Sequence, residues 1–357
     1  MSDIVLWSPF FVETFNNFTP LYGGGIGGSE TSQVVLSEEF AKRSNTVISY
    51  APLGYQGTTY AGVEWRNSIE VVGSLPEGKN WLVYRDPRFF SRSDFPKTGK
   101  FTFIAQDTFY DWTPEELAKV HKYVTLCETH SRETLRRHPE LKGRIYQSSN
   151  GVRSDVIADI EKENIPRNPR RMMYASSVDR GLILILKNWN RILEFVPDAE
   201  LHIAYGFNVA EKMLANGGTH LAPMLSEVKQ LMKQPGIHWL GRIGQMDLYR
   251  EWFKSSVFFY PNTFMETSCI SVMDAQATGC VPVCSDGWAL SQNVLSGRVI
   301  HGKPDTEPLV MHSLLRECID ELLNPMNKTD RDTMILDARE TFSWTKWAAQ
   351  MERIICD

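Results

Sequence analysis

Short apolar runs rich in β-branched and aromatic residues alternate along this chain with longer amphipathic stretches, the pattern of parallel sheets with crossover helices. In the first half it predicts strands over Asp3–Trp7, Thr46–Tyr50, Trp81–Tyr84, Phe101–Ile104 and Tyr123–Leu126. Helices are expected over Ser29–Arg43, Pro114–Val120 and Thr129–His138, the last capped by Thr129 or Ser131. A polar stretch with two prolines, Ile160–Arg170, then breaks the alternation and reads as a linker. Beyond it the pattern restarts: strand Arg171–Ala175, helix Gly181–Phe195, strand Glu200–Tyr205, helix Leu221–Lys233, strand Ile237–Leu240, helix Met246–Ser255 and strand Val257–Tyr260. Trp344, Trp347, Ala348, Met351, Ile354 and Ile355 recur at helical spacing and predict a packing face on a final helix. The α/β units thus divide into domains over 1–160 and 171–340, a linker over 161–170, and a closing helix over 341–357.

Composition narrows the function more than the fold. A length of 357 residues with 42% hydrophobic content suffices for two cores. The formal charge of −5 offers no broad cationic face for nucleic acid. No apolar run reaches the ~18–20 residues of a membrane span, and the first residues read as a buried strand rather than a secretory leader. The six cysteines are scattered apart from Cys280 and Cys284, with nothing nearby to complete a zinc site, so free thiols in a reducing cytoplasm are expected. The eight histidines show no metal-ligand spacing; His130 and His138 read as surface residues of one helix. No metal and no other cofactor is expected.

The most informative segment runs from Phe264 to Val283. Glu266 precedes a helical stretch, Asp274 follows after seven intervening residues, and Ala-Thr-Gly then leads into a Val-Pro-Val strand. Loop amides and a helix N-terminus can hold a diphosphate there, one carboxylate can reach a sugar, and the other a ribose. The segment resembles the Glu-x7-Glu signature of retaining glycosyltransferases of family four, with Asp in place of the second Glu.

The glycine loop Gly23–Gly28 precedes the first helix. Its glycines permit close backbone approach, and the helix start supplies amides for an anion. A Gly-x-Gly-x-x-Gly reading over Gly23, Gly25 and Gly28 also fits a dinucleotide fold. Against NAD, the loop stands well after the first strand and no acid ends the strand at Tyr50. It resembles the Gly-Gly loop of family four, which makes Gly27 and Gly28 the expected close-contact residues.

Two further segments carry cations. In Ser176-Ser177-Val178-Asp179-Arg180-Gly181-Leu182, Arg180 can neutralise a phosphate and the charge growing on a leaving diphosphate. The segment is similar to the Ser-Ser-x-x-Arg-Gly-Leu of family four, but Ser176 stands where more familiar members carry a second Arg; Lys187 is expected to be solvated. Gly241-Arg242-Ile243 resembles the family's loop beside the nucleobase, with Arg242 an anion ligand or a loop salt bridge and Ile243 packing on the base. At Gln106-Asp107 the family often has a histidine contacting the transferred sugar. Gln106 can hydrogen-bond a hydroxyl without shuttling protons, and Asp107 is either a site residue or a cap. Asn150-Gly151 resembles a turn closing the first domain.

The order of these segments covers nearly the whole chain. The resemblance implies two Rossmann-like domains facing a central cleft (the GT-B architecture), with the final helix crossing back to the first domain. It implies a retaining, metal-independent transferase that moves a sugar from a nucleoside-diphosphate-sugar to a glycan, lipid-linked or protein-linked acceptor. Glu266 would hold sugar hydroxyls, Arg180 and the amides of Thr267, Ser268, Cys269 and Ile270 the diphosphate, and Asp274 the ribose. A nucleotide-sugar epimerase, a non-catalytic glycan-binding descendant and an NAD-dependent oxidoreductase are the alternatives. The expected location is cytoplasmic, with peripheral membrane contact if the acceptor is lipid-linked. The aromatics Phe10, Phe11, Phe15, Phe18, Tyr22, Phe89 and Phe90 would either stack on sugar or fill a core.

Overall fold

The computed structural model describes residues 3–9, 25–53, 57–215, 217–218 and 221–356. The chain divides into two compact units: unit 1 comprises Met1–Pro20, Ile26–Gly151 and Phe342–Asp357, and unit 2 comprises Leu21–Gly25 and Val152–Thr341. No helix among the described residues is long and apolar enough to cross a membrane.

Unit 1 contains the strands β1 (Asp3–Trp7), β2 (Thr46–Ala51), β3 (Gly57–Tyr60), β4 (Val63–Asn67), β5 (Lys79–Tyr84), β6 (Gly99–Ile104), β7 (Lys122–Thr125) and β8 (Ile145–Gln147). They form one sheet in the order β3-β4-β2-β1-β5-β6-β7-β8. Every described pair is parallel except the β3–β4 hairpin, which the sequence pattern did not predict. The helix after β1, Gly28–Lys42, is buried over most of its length, which a polar-looking Gly-Ser-Glu-Thr-Ser-Gln start conceals. Gln33 Nε2 donates to Ser49 and to the Tyr50 carbonyl on the neighbouring strand, and Ser37 donates to Ser49, which offsets part of the cost of burying them.

The core of this unit is aromatic. Trp7, Tyr50, Trp81, Phe89, Phe90, Phe101 and Phe103 pack together, and Phe89 and Phe90 are fully buried. The alternative that these two rings stack on a sugar is therefore closed. Phe10, Phe11, Phe15, Phe18 and Tyr22 lie outside the described residues. The final helix, Trp344–Cys356, belongs to the same unit: Glu352 pairs with Arg43, and Thr345 donates to Glu39. Gly151 sits so close to Phe342 and Trp344 that a Cβ would collide with the Phe342 carbonyl, so the turn needs glycine. His130 is not a surface residue: it is fully buried at the start of the Glu128–Arg137 helix, and burial lowers its pKa to about 4. That helix is capped by the Cys127 sulfur accepting from the His130 amide, not by Thr129 or Ser131.

Unit 2 contains β9 (Asn168–Tyr174), β10 (Glu200–Ile203), β11 (Ile237–Trp239), β12 (Ser255–Tyr260), β13 (Val281–Ser285) and β14 (Arg298–Ile300). They form an all-parallel sheet in the order β11-β10-β9-β12-β13-β14. β9 thus starts at the centre, with two strands built outwards on one side and three on the other, the doubly wound arrangement. The expected Gly181–Phe195 helix is broken into Leu182–Lys187 and Trp189–Phe195 at Asn188, whose side chain bonds back to the Leu184 carbonyl. The stretch expected as linker holds the end of the Ser154–Glu161 helix and the first residues of β9. Helices Pro308–Leu323 and Lys328–Thr341, absent from the sequence expectations, complete the unit.

Candidate functional site

In a doubly wound sheet the crevice for a ligand opens at the carboxyl ends of the two central strands, where the connections leave to opposite faces. In unit 2 those strands are β9 and β12. The loop after β9 carries Ser176 and Arg180; the loop after β12 carries Phe264 and Glu266. Gly181 brings the two loops together. It has φ +100°, and a Cβ there would collide with the Pro261 carbonyl. Only glycine combines that backbone angle with that approach.

Glu266 is buried, 4% exposed, and its carboxylate is held from two sides. Its Oε1 accepts from Arg180 Nη1 at 2.9 Å and from the Tyr260 hydroxyl at 2.6 Å. Tyr260 in turn lies 3.2 Å from the Ser176 hydroxyl. Burial, followed by the charge of Glu266, raises the Tyr260 phenol well above its ordinary pKa, so it stays a proton donor in this chain. Arg180 lies 4.1 Å over the Phe264 ring, a cation–π contact that fixes the guanidinium plane. Burial opposes its charge, but Glu266, Tyr260, Asp179 and Tyr205 together outweigh it and the pKa is raised. Its Nε is buried without a hydrogen-bond partner among the described residues.

The Glu266 loop is rigid for local reasons. Asn262 bridges it, accepting from the Phe264 amide at 2.9 Å and donating to the Phe264 carbonyl at 2.6 Å. The Ala289 amide donates to the Glu266 carbonyl at 2.9 Å. The following helix, Ile270–Ala277, is tied to the β9 loop by Ser271 Oγ donating to the Ala175 carbonyl at 2.5 Å. The Cys269 amide is already taken by Asn293 Oδ1 at 3.0 Å, whereas the sequence counted it among the diphosphate donors. Asp274 lies one turn into the helix, 2% exposed, accepting from the Tyr249 hydroxyl at 2.9 Å. Burial raises its pKa to about 7, against the lowering effect of Tyr249.

No family model matches this sequence, and no curated protein does. Solved structures match it along its whole length. Sucrose-phosphate synthase from Thermosynechococcus elongatus aligns with 99% of this chain and 98% of its own at a TM-score of 0.72 and 12% identity. The catalytic domain of starch synthase IV from Arabidopsis thaliana, bound to ADP and acarbose, covers 99% of both chains at TM-score 0.67 and 10% identity. HepE from Anabaena, in complex with UDP-glucose, covers 99% of both at 0.66 and 10%. The chain has the GT-B fold. With so little identity the likeness extends to the fold alone, and the chemistry has to be read from the residues.

In this GT-B chain the remaining expected site residues fall into three groups. Ser176, Arg180 and Glu266 come together around Tyr260, as above. Arg242 follows β11 with its guanidinium 5.8 Å from the Tyr205 ring, and the neighbouring Ile243 carbonyl lies against Gly25, whose φ of +68° and tight approach again require glycine. Lys187 pairs with Glu227 at 2.9 Å, about half exposed, and takes no part.

The third group belongs to unit 1 of the GT-B fold. Gln106 is buried after β6 and donates to Ser32 Oγ at 3.3 Å. Asp107 receives Arg85 through two bonds of 2.7 and 2.8 Å and the Tyr110 hydroxyl at 3.1 Å. Gly27 caps the Gly28–Lys42 helix, its carbonyl accepting from Thr31, and Gly28 is exposed at the first turn; Gly23 and Gly24 lie outside the described residues.

Sequence reasoning missed Tyr260 and Asn262. Tyr260 was placed as the last residue of a strand and given no role; an aromatic hydroxyl at a central strand's carboxyl end, six residues before the acid, was the available signal. Asn262 had none.

Proposed function

We propose that this chain is a retaining glycosyltransferase that takes its sugar from a nucleoside-diphosphate-sugar without a metal ion in the chemistry. The observation that carries this reading is the incomplete ion pair of Arg180 and Glu266 at the β9/β12 crevice. A partly exposed guanidinium with a buried, unpartnered Nε beside a buried carboxylate suits a donor presenting both phosphate oxygens and sugar hydroxyls. The ADP and UDP-glucose held by two GT-B neighbours favour the same ligand class.

On this reading the diphosphate engages Arg180 and the start of the Ile270–Ala277 helix, where backbone amides and the helix dipole favour an anion. Glu266, paired with Arg180 and oriented by Tyr260, accepts from sugar hydroxyls. As the glycosidic bond breaks, charge grows on the leaving phosphate, and Arg180 stabilises it there. That phosphate oxygen takes the proton from the acceptor hydroxyl on the same face of the sugar, which retains the anomeric configuration. Asp274, bonded to Tyr249 and buried, serves as a positioning residue under the helix rather than as the ribose ligand. Asp107, already committed to Arg85, positions the loop that carries Gln106. Glycans, glycolipids and glycoproteins are all compatible acceptors, and a lipid-linked one would bring the protein to a membrane surface.

The test is a calorimetric and thermal-shift series with UDP, GDP, ADP and NAD in the presence of EDTA. One nucleoside diphosphate should stabilise the protein by about 2.7 kcal/mol at a hundredfold excess over its dissociation constant. Stabilisation by NAD alone, or by nothing, would rule the transferase out. With the base known, proton spectroscopy of the glycosylated product reads the anomeric configuration and decides retention.

A further inference from the structure

We propose that Glu200, His202 and His238 form a binding site for one divalent transition metal of the zinc class, on the face of the unit 2 sheet at its β10–β11 edge. The three residues offer one ligand atom each, all within 4.8 Å of one another. Strand pairing makes the cluster: Glu200 and His202 lie two apart on β10 and so share a face, and His202 stands in register with His238 on β11. The rings stack with centroids 4.5 Å apart and planes inclined by 23°.

The distances suit a metal of this class. Two ligands at zinc bond lengths and a tetrahedral angle stand about 3.3 Å apart, and His202 Nε2 lies 3.2 Å from Glu200 Oε2. The other separations are bounded by 4.8 Å, and His238, being exposed, can adjust to the metal by changing rotamer. The distance to Glu200 makes Nε2 the ligand nitrogen of His202; Nδ1 of the same ring is buried with no hydrogen-bond partner among the described residues and stays outside the ligand set. Two imidazoles and one carboxylate favour zinc, cobalt or nickel over magnesium or calcium.

Charge limits the affinity. Arg171 pairs with Glu200 in register and opposes a dication, but its guanidinium bonds Glu251, which also holds Lys254. The surroundings are therefore nearly neutral before the metal enters, and micromolar binding is expected. A bound ion would clip the three-residue strand β11 to β10, its only sheet neighbour. This site is separate from the donor crevice, and its test does not depend on whether the chain transfers sugar.

The experiment is titration of untagged protein with Zn²⁺ and with Co²⁺, followed by calorimetry, visible absorption and melting temperature. One equivalent should bind, Co²⁺ should show ligand-field bands, and Zn²⁺ should raise the melting temperature. His238→Ala, at an exposed position, and Glu200→Gln should each weaken binding by at least about tenfold. No saturable binding, binding indifferent to both substitutions, or an equal shift with Mg²⁺ would overturn the site and leave the histidine pair as packing.

Discussion

Each unit places an arginine and an acid at the carboxyl ends of its strands, yet the two pairs are built to different standards. In unit 1, Arg85 meets Asp107 through two parallel bonds, and Tyr110 adds a third contact to the same carboxylate. In unit 2, Arg180 reaches Glu266 through one nitrogen only, and the guanidinium keeps a buried Nε without a partner. A carboxylate and a guanidinium that satisfy each other have little left to offer a ligand. A partly buried pair that does not satisfy itself carries a desolvation cost that an incoming anion with hydroxyls would remove. On the proposed function, the first pair is structural and the second binds the donor.

That contrast can be broken most decisively at Glu266. Glu266→Ala should lower the transfer rate by about a thousandfold, or roughly 4 kcal/mol of transition-state stabilisation. A transfer assay with the nucleotide-sugar identified by binding measures it, and a rate within tenfold of the parent would remove Glu266 from the site. Arg180→Ala should weaken nucleoside diphosphate binding by about a hundredfold in calorimetry, the scale of a lost charge-assisted contact. The matching substitution in unit 1, Arg85→Ala, should leave that binding within about threefold, so equal losses in the two variants would erase the distinction drawn here.

Gly181→Ala comes next, because it presses a side chain against the Pro261 carbonyl at a left-handed backbone angle. A loss of about 2–3 kcal/mol in chemical denaturation is expected. An unchanged midpoint would show that the two loops are not in close register.

Asp274 gives a smaller effect with a definite pH signature. Its folded pKa of about 7 lies above the ordinary value of 3.8 because burial disfavours the charge. Between those two values the folded state keeps a proton that the unfolded chain has released, so this group makes stability fall as pH rises from about 4 to about 7 and adds no further slope above that. Asp274→Asn keeps an acceptor for Tyr249 and removes the ionisation. The linkage is worth about 4 kcal/mol at pH 8, and the buried carboxamide N–H groups that Asn brings offset part of it. The variant should therefore gain on the parent by about 1–2 kcal/mol in denaturation at pH 8 and by almost nothing at pH 4. An equal difference at both values would mean that the carboxyl is not titrating in that window. Smallest of all is Asp107→Asn. The Arg85–Asp107 pair is partly exposed, and the variant should cost about 0.5–1 kcal/mol, most visible at low salt.

Much of this molecule was legible as pattern. The central strands and several helices followed from the alternation of apolar runs and amphipathic stretches, with most of their boundaries within a few residues of the expected ones; β3, β4, β8, β14 and the helices Pro308–Leu323 and Lys328–Thr341 did not. Glycine positions were legible as turns, but what makes glycine necessary is tertiary: a Cβ at Gly151 would meet the Phe342 carbonyl and one at Gly181 the Pro261 carbonyl. Illegible elements share a cause. The β3–β4 hairpin is short and lies at the sheet edge, with little apolar alternation to betray it. His130 sits in a polar helix but is buried by its neighbours, which periodicity within the helix could not show.

What the amino-acid sequence determined by itself was the kind of fold, two units of alternating strand and helix, and the presence of an acid and an arginine just after strand ends. Local spacing is enough for that, because strand, helix and turn preferences act over a few residues. The tertiary structure alone decided which charged groups are complete and which are not. It set Tyr260 and Ser176 behind Glu266, committed Asp107 to Arg85, buried Asp274 against Tyr249, and laid His238 over His202 beside Glu200. Those relations depend on strand order and register. Residues far apart in the chain become neighbours across a sheet, and no spacing along the sequence encodes the distance between them.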